Sequence, residues 1–234
     1  MIDSLMVHSV SGSVLNNAAK YSHNTLQGHH HSVFQIAYYS DMQKMRWAMG
    51  VGCLMDGESV AARYGRGLVL KRPILGCGVI NNGSQNMLVI SDLHIPYQHP
   101  DAFDFLDAVR RKYKTPIILN VGDVLDHHQG SYHESEPDAM YPEQEYRAAK
   151  KDAQLLQEIF PRMVITAGNH DKIPTRKLKS ANLPSSMLSD YNELYELKDT
   201  WKWLDEYKFD SFGGIPHLVP MVLNKRNRWD KVVN

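Results

Sequence analysis

Three short, uncharged apolar runs constrain the fold of this chain more than any other feature: MLVIS beginning at Met87, IILNV at residues 117–121 and MVITA at residues 163–167. Runs this short and this apolar read as strands buried on both faces, the pattern of a parallel sheet. Between them, residues 101–114 follow Pro100 and put Ala102, Phe105, Leu106, Val109 and Tyr113 on one helical face. Residues 142–160 do the same with Tyr146, Ala149, Ala153, Leu156 and Ile159. The alternation predicts a βαβαβ unit with right-handed crossovers, whose ligand site lies beyond the carboxyl ends of the strands. Those ends carry SDLH (residues 91–94), GDVLD (122–126) and GNHD (168–171).

The N-terminal third has a different texture. Residues 5–10, 32–39 and 45–52 are rich in branched and aromatic side chains and read as strands, with a short helix at 14–20. They are expected to form a second sheet facing the first. NNGSQN at 81–86 has the composition of a flexible connector. At 234 residues, a single α/β domain buries a self-sufficient core. Lys+Arg and Asp+Glu balance at 26 each, which leaves no global basic field to attract nucleic acid. Cys53 and Cys77 fit no zinc spacing and no CxxC pair, so they read as reduced core thiols in a reducing compartment. No apolar run approaches membrane-span length and no signal peptide opens the chain, so a soluble cytoplasmic protein is expected.

The strand-end motifs supply carboxylate, imidazole and carboxamide groups, a donor set suited to manganese, iron or zinc. Asp123 is the natural bridge between two ions, on a turn that Gly122 opens for close backbone approach. Asp92 and His94, at alternate positions past a strand, point to one side and suit one ion. Asn169 offers a neutral oxygen to the other. His170 beside it suits proton delivery to a leaving oxygen, with Asp171 as the carboxylate that orients it. A histidine-rich segment, QGHHHS at 27–32, lies far upstream; it is short, internal and followed by a credible strand, unlike a purification tag.

Read as D-x-H, G-D-x-x-D and G-N-H-D, the three motifs resemble those of the calcineurin-like metallophosphoesterase superfamily. Its remaining signatures, a lone histidine ending a later strand and a G-H-x-H turn, are both present, but upstream: His8 in LMVHSV and Gly28-His29-His30-His31. The resemblance covers nearly the whole chain once it is cut between residues 80 and 87 and Asn234 is joined to Met1. It therefore implies one circularly permuted domain over 1–234, with the family's C-terminal part at 1–80, a linker at 81–86 and its N-terminal part at 87–234. Reordered, the chain is similar to small phage and bacterial metallophosphoesterases, in which the histidine turn precedes strands like WAMGVGCLMD, AARYGRG and KRPILGCGVI; a phage-encoded member would act in the host cytoplasm. The implied fold is α/β, two facing mixed sheets flanked by helices in four α/β/β/α layers. The implied cofactors are two divalent transition metal ions, manganese first, with iron, zinc or nickel as alternatives. Asp92, His94, Asp123 and His31 would hold one ion; Asp123, Asn169, His8 and His29 the other. His170 and Asp171 would be catalytic, and a hydroxide bridging the metals would attack the phosphorus.

Other residues carry weaker expectations. His30 is expected to face away from the metals, and Asp126 to orient a ligand histidine. His127, His128 and His133 line either a substrate pocket or a solvated loop, and Tyr97 and His99 border that pocket. Lys172, Arg176, Lys177 and Lys179 form a basic cluster that could steer a phosphate-rich substrate, opposed by the acidic HESEPDAMYPEQE at 133–145. Aromatic residues do not interleave with either stretch as a single-strand groove requires. A phosphomonoester or phosphodiester of modest size, a nucleotide included, is the expected substrate. A DNA nuclease, a phosphoprotein phosphatase and an inactive scaffold that keeps the fold remain as alternatives.

Overall fold

The computed structural model describes residues 5–9, 11–59, 61–62, 72–83, 85–131, 138–209 and 212–231. His133 and most of AARYGRG lie outside them. Two sheets face each other. The first is built from β1 (Leu5–His8), β2 (Asn24–Gln27), β3 (Phe34–Ser40), β4 (Met45–Val51) and β10 (Tyr207–Phe209), in the order β10-β1-β2-β4-β3. The second contains β5 (Gly76–Asn81), β6 (Met87–Ile90), β7 (Ile117–Asn120), β8 (Met163–Thr166), β9 (Trp201–Leu204) and β11 (Ile215–Pro220), in the order β11-β5-β6-β7-β8-β9. Both sheets are mixed. β6 through β9 run parallel, with Met87 opposite Ile117 and Leu119 opposite Val164, while β5 and β11 join antiparallel.

The apolar runs are continuous because both faces of the second sheet are covered. Leu88, Ile90, Ile118 and Ile165 pack against Phe105, Leu106, Val109 and Leu156, from α2 (Ala102–Tyr113) and α3 (Pro142–Ile159). The alternate residues Met87, Val89, Leu119 and Val121 meet Leu5, Val7, Leu26 and Met49 of the first sheet. Each such fully buried side chain contributes about 1.5–3 kcal/mol. On the outer face of the first sheet, Val14 and Ala18 of α1 (Val14–Tyr21) cover Ala48. The result is the expected α/β/β/α layering, and Cys53 and Cys77 are free and fully buried within it.

Local chemistry sets the helix ends. Pro142 opens α3, where the missing amide hydrogen costs nothing, and the Gln144 side chain accepts from the Tyr141 amide at 3.2 Å. α4 (Ile173–Ser180) and the short α5 (Tyr191–Leu194) follow β8. After β11 the chain crosses back to α2. There Arg228 Nε donates to Asp101 Oδ2 at 2.7 Å, the Trp229 amide donates to the same oxygen at 2.8 Å, and the Trp229 ring packs edge-on to Phe105. Among the described residues no helix is long and apolar enough to cross a membrane.

Candidate metal centre

The three motif loops leave β6, β7 and β8 at one edge, and the turn after β2 meets them from the opposite sheet. Four residues at this junction have left-handed backbones although none is glycine: His29 (φ 74°), Asp92 (50°), His94 (53°) and Asp123 (52°). Such conformations cost roughly 1–3 kcal/mol each and persist where the surroundings impose them, typically at functional sites. Glycine permits the close approach at two points. A Cβ on Gly28 would collide with the Val121 carbonyl and the Ser91 hydroxyl, and Gly122 combines φ 92° with Ser9 pressed against it.

Asp92 is fully buried, and its carboxylate accepts from the His29 amide at 3.1 and 3.0 Å and from the Ser91 hydroxyl. His31 Nε2 lies 3.3 Å from Asp92 Oδ1 and 3.0 Å from His94 Nε2. Three donor atoms, from His31, Asp92 and His94, thus point at one another within 4.8 Å and could hold a metal ion. His94 Nδ1 sits 2.5 Å from Asp126 Oδ1. That contact holds the ring hydrogen on Nδ1 and leaves the Nε2 lone pair facing Asp92 and His31, as a ligand histidine requires. Burial pushes the His94 pKa down to about 4, so the ring is neutral. For His31, burial is outweighed by the Asp92 carboxylate, which raises it.

Asp123, Asn169, His29 and His8, expected around a second ion, lie on the adjoining loops and strand ends. Asp123 Oδ1 accepts from the His170 amide at 2.8 Å, but its buried Oδ2 has no partner. Asn169 Oδ1 and both ring nitrogens of His8 are likewise buried without partners. His8 closes β1 opposite Gln27, next to the histidine turn, and burial holds its pKa down. Burial, with Asp92 and Asp171 close by, pushes Asp123 up to about 7. A buried carboxylate crowded by others, with neutral imidazole and carboxamide acceptors left unsatisfied around it, is the donor set a divalent cation completes. The residues present therefore fit a bound divalent metal ion, and the seven expected ligands come from loops or strand ends at this edge.

His170 is held by Asp126, not by Asp171. Its Nδ1 donates to the Asp126 carbonyl at 2.8 Å and lies 3.2 Å from Asp126 Oδ1. Burial opposes its charge, but the hydrogen bond and charge of Asp126 raise it to about 9. Asp126 itself is held far below the usual carboxylate range; the cost of burying it is exceeded by its bonds to His170 and His94. Asp171, expected at the His170 ring, instead accepts the amides of Leu125 (2.9 Å) and Gly168 (2.8 Å), tying the GDVLD loop to the GNHD loop. His94, Asp126 and His170, joined by these hydrogen bonds, also bring three donor atoms within 4.8 Å of one another, a second group that could hold a metal ion.

The surrounding residues fall mostly into supporting places. His30 turns away, its Nε2 2.7 Å from the Gly12 carbonyl, as expected. His127 lines no solvated loop: Nδ1 faces the His170 carbonyl at 3.1 Å and Nε2 the Tyr195 hydroxyl at 2.9 Å. His128 is buried, and its amide donates to Glu145 at 2.6 Å. Tyr97 and His99 are both buried. Tyr97 packs with Cys53 and Met55, while His99 accepts the Asp101 amide and meets the Asn227 carbonyl. The basic cluster is partly committed too: Lys172 pairs with Asp205 at 2.8 Å, and Arg176 donates to the Asn169 carbonyl at 2.7 Å. Sequence reasoning missed Glu145, Tyr195 and the role of His127. The one available signal was the position of His127 directly after a motif carboxylate.

A family model described as calcineurin-like phosphoesterase matches residues 86–233, which include the three strand-end motifs but not His8, His29 or His31. No curated protein and no solved structure matched.

Proposed function

This chain belongs to the calcineurin-like phosphoesterase family, whose members are metal-dependent hydrolases of phosphate esters, and from that premise we propose that it is a two-metal enzyme cleaving phosphomonoesters or phosphodiesters of modest size. The observation that carries the reading is the convergence of His29 and His31, from outside the matched segment, on the carboxylate of Asp92. A match to the motifs alone would be satisfied by half a site. Asp92, His94, Asp123 and His31 would hold one ion, and Asp123, Asn169, His8 and His29 the other, with manganese the first choice for this oxygen and imidazole set. When bound, such a pair supplies positive charge for the phosphoryl oxygens and an attacking water acidic enough to act near neutral pH.

The chain's own part is positioning and proton transfer. Asp126 fixes the His170 ring through Nδ1, so Nε2 is the atom that can hand a proton to the departing oxygen. The same oxygen, Asp126 Oδ1, also takes His94 Nδ1, so one residue sets both a ligand and the acid. Asp171, by joining the two loops, holds Asp123 and Asn169 in mutual register. The engagement of Lys172 and Arg176 inside the chain removes two charges from any track for a long polyanion, which favours a small ester over DNA.

The reading extends to chain order. Supporting a circular permutation, β5 and β6 form a hairpin with Ile80 opposite Met87, and Phe209 of β10 lies opposite Leu5 at the start of β1. Opening the β5–β6 connection and joining Asn234 to Met1 would restore the family's motif order. The functional reading is tested by assaying the manganese-loaded protein on p-nitrophenyl phosphate and bis-p-nitrophenyl phosphate. Metal-dependent release of nitrophenol from either ester, lost on chelation, is expected. Absence of turnover on both with metal bound would remove the enzyme assignment in favour of a silent scaffold.

A further inference from the structure

A half-open cavity of about 340 Å³ is lined by the loops after β6 and β7 together with α3, α4 and α5. Among the described residues neither His170 nor any of the seven ligands lines it, so it is separate from the metal centre. Its volume falls at the small end of the range for small-molecule pockets, roughly 300–1,000 Å³. Ile95, Leu125, Ile173 and Leu194 give it apolar walls, and Tyr146 and Tyr195 add two rings 5.4 Å apart. Both tyrosine hydroxyls are committed elsewhere. Tyr146 donates to the Leu194 carbonyl at 2.5 Å. The His170 carbonyl can only accept, so His127 Nδ1 carries the ring hydrogen and Nε2 accepts from Tyr195.

Beside the polar side chains of Gln129 and Lys177, the lining holds one buried carboxylate with capacity left. Glu145 is 5% exposed, and its Oε1 accepts the His128 amide at 2.6 Å, whereas Oε2 has only a long 3.5 Å contact with the Gln129 amide. A carboxylate oxygen can accept two bonds, so Oε2 has room for a donor from inside the cavity. Burial makes such a bond worth more than in water. Apolar and aromatic walls, a buried acceptor and a small volume together describe the occupant.

We propose that this cavity binds a small planar aromatic molecule bearing an N–H donor, seated against Tyr146 and Tyr195 with its N–H on Glu145, and that occupancy changes turnover through His127. His127 is the wall that the cavity shares with the site: one ring face belongs to the cavity while Nδ1 fixes the carbonyl of His170. A ligand that holds or displaces that ring therefore acts on the position of the proton donor without touching substrate. The binding half stands independently of the phosphoesterase reading; the turnover half rests on it.

Indole is the probe. Titrating the manganese-loaded protein with indole by calorimetry should give saturable binding with Kd on the order of 0.1–1 mM, as expected for a ligand of this size. At saturation, kcat on bis-p-nitrophenyl phosphate should shift by about fivefold with KM unchanged. Ala149→Leu, which fills the cavity from α3, and Leu194→Trp, which fills it from half-exposed α5, should each abolish indole binding while metal content is retained. If Ala149→Leu misfolds by circular dichroism, Leu194→Trp decides, because its added bulk meets solvent on one side. Absence of saturable binding, binding that survives the substitutions, or competition between indole and the ester would overturn the assignment. Binding with unchanged kcat would uphold the ligand site and overturn the coupling to His170.

Discussion

Asp126 holds two imidazoles: its Oδ1 meets Nδ1 of both His94 and His170, and its backbone carbonyl also accepts from His170 Nδ1. Its substitution should therefore have a compound effect. Asp126→Asn is expected to weaken metal retention and to lower kcat, each by about 10- to 100-fold, the usual cost of removing a carboxylate behind a ligand histidine. His170→Ala separates the two roles: metals stay bound while turnover falls by roughly 10²–10⁴. Metal content and steady-state rates measured on both variants check this, and loss of metal from His170→Ala would count against its assignment as a proton donor. Asp171→Asn should behave differently again. It leaves one of two backbone amides without an acceptor, so the expected loss is about 1–3 kcal/mol of stability, read as a lower urea midpoint.

At the level of elements, α3 carries a group whose charge state bears on stability. Burial pushes Glu145 from an ordinary 4.5 to about 7, although the His128 and Gln129 amides pull the other way. The folded chain thus holds this proton more tightly than the unfolded chain. The stability that it contributes is complete below about pH 4.5 and is lost as pH rises through about 7. Metal-free protein should lose on the order of 2–3 kcal/mol relative to Glu145→Gln between those limits. Urea unfolding of both proteins across that window measures the difference; a constant gap would show that Glu145 is not perturbed. The strands and helices around this element were legible because their apolar period survives in the sequence: β6, β7, β8, α2 and α3 fall within a residue or two of their expected bounds. β9, β10 and β11 were not. They lie at sheet edges, where Lys202, Lys208, Pro216 and Pro220 interrupt any apolar run and guard against unwanted pairing. The identities of the site residues were legible from the motifs, but the partner of His170 was not. It depends on left-handed turns at Asp92, His94, Asp123 and His127, which set where each carboxylate points and leave no mark in composition.

For the whole molecule, each proposed cation site draws histidines from the N-terminal 31 residues and its other ligands from residues 92–169, and the proposed permutation accounts for that order. The C-terminal segment docks on α2 through Arg228 and Trp229, whereas Leu5 pairs with Phe209 in the other sheet. A reordered chain starting at Met87, with Asn234 linked to Met1 by a long flexible segment, should fold and bind metal as this one does. If the reordered chain were insoluble while the native order is active, the permutation would be refuted. The claim on which everything else rests is that His8 and His29 complete a second cation site with Asp123 and Asn169. Its most direct test is the metal content of purified protein reconstituted with manganese and freed of excess ion, compared with that of His29→Ala. Two ions per wild-type chain and one in the variant is the expected result; one ion per wild-type chain, or two retained without His29, would contradict it.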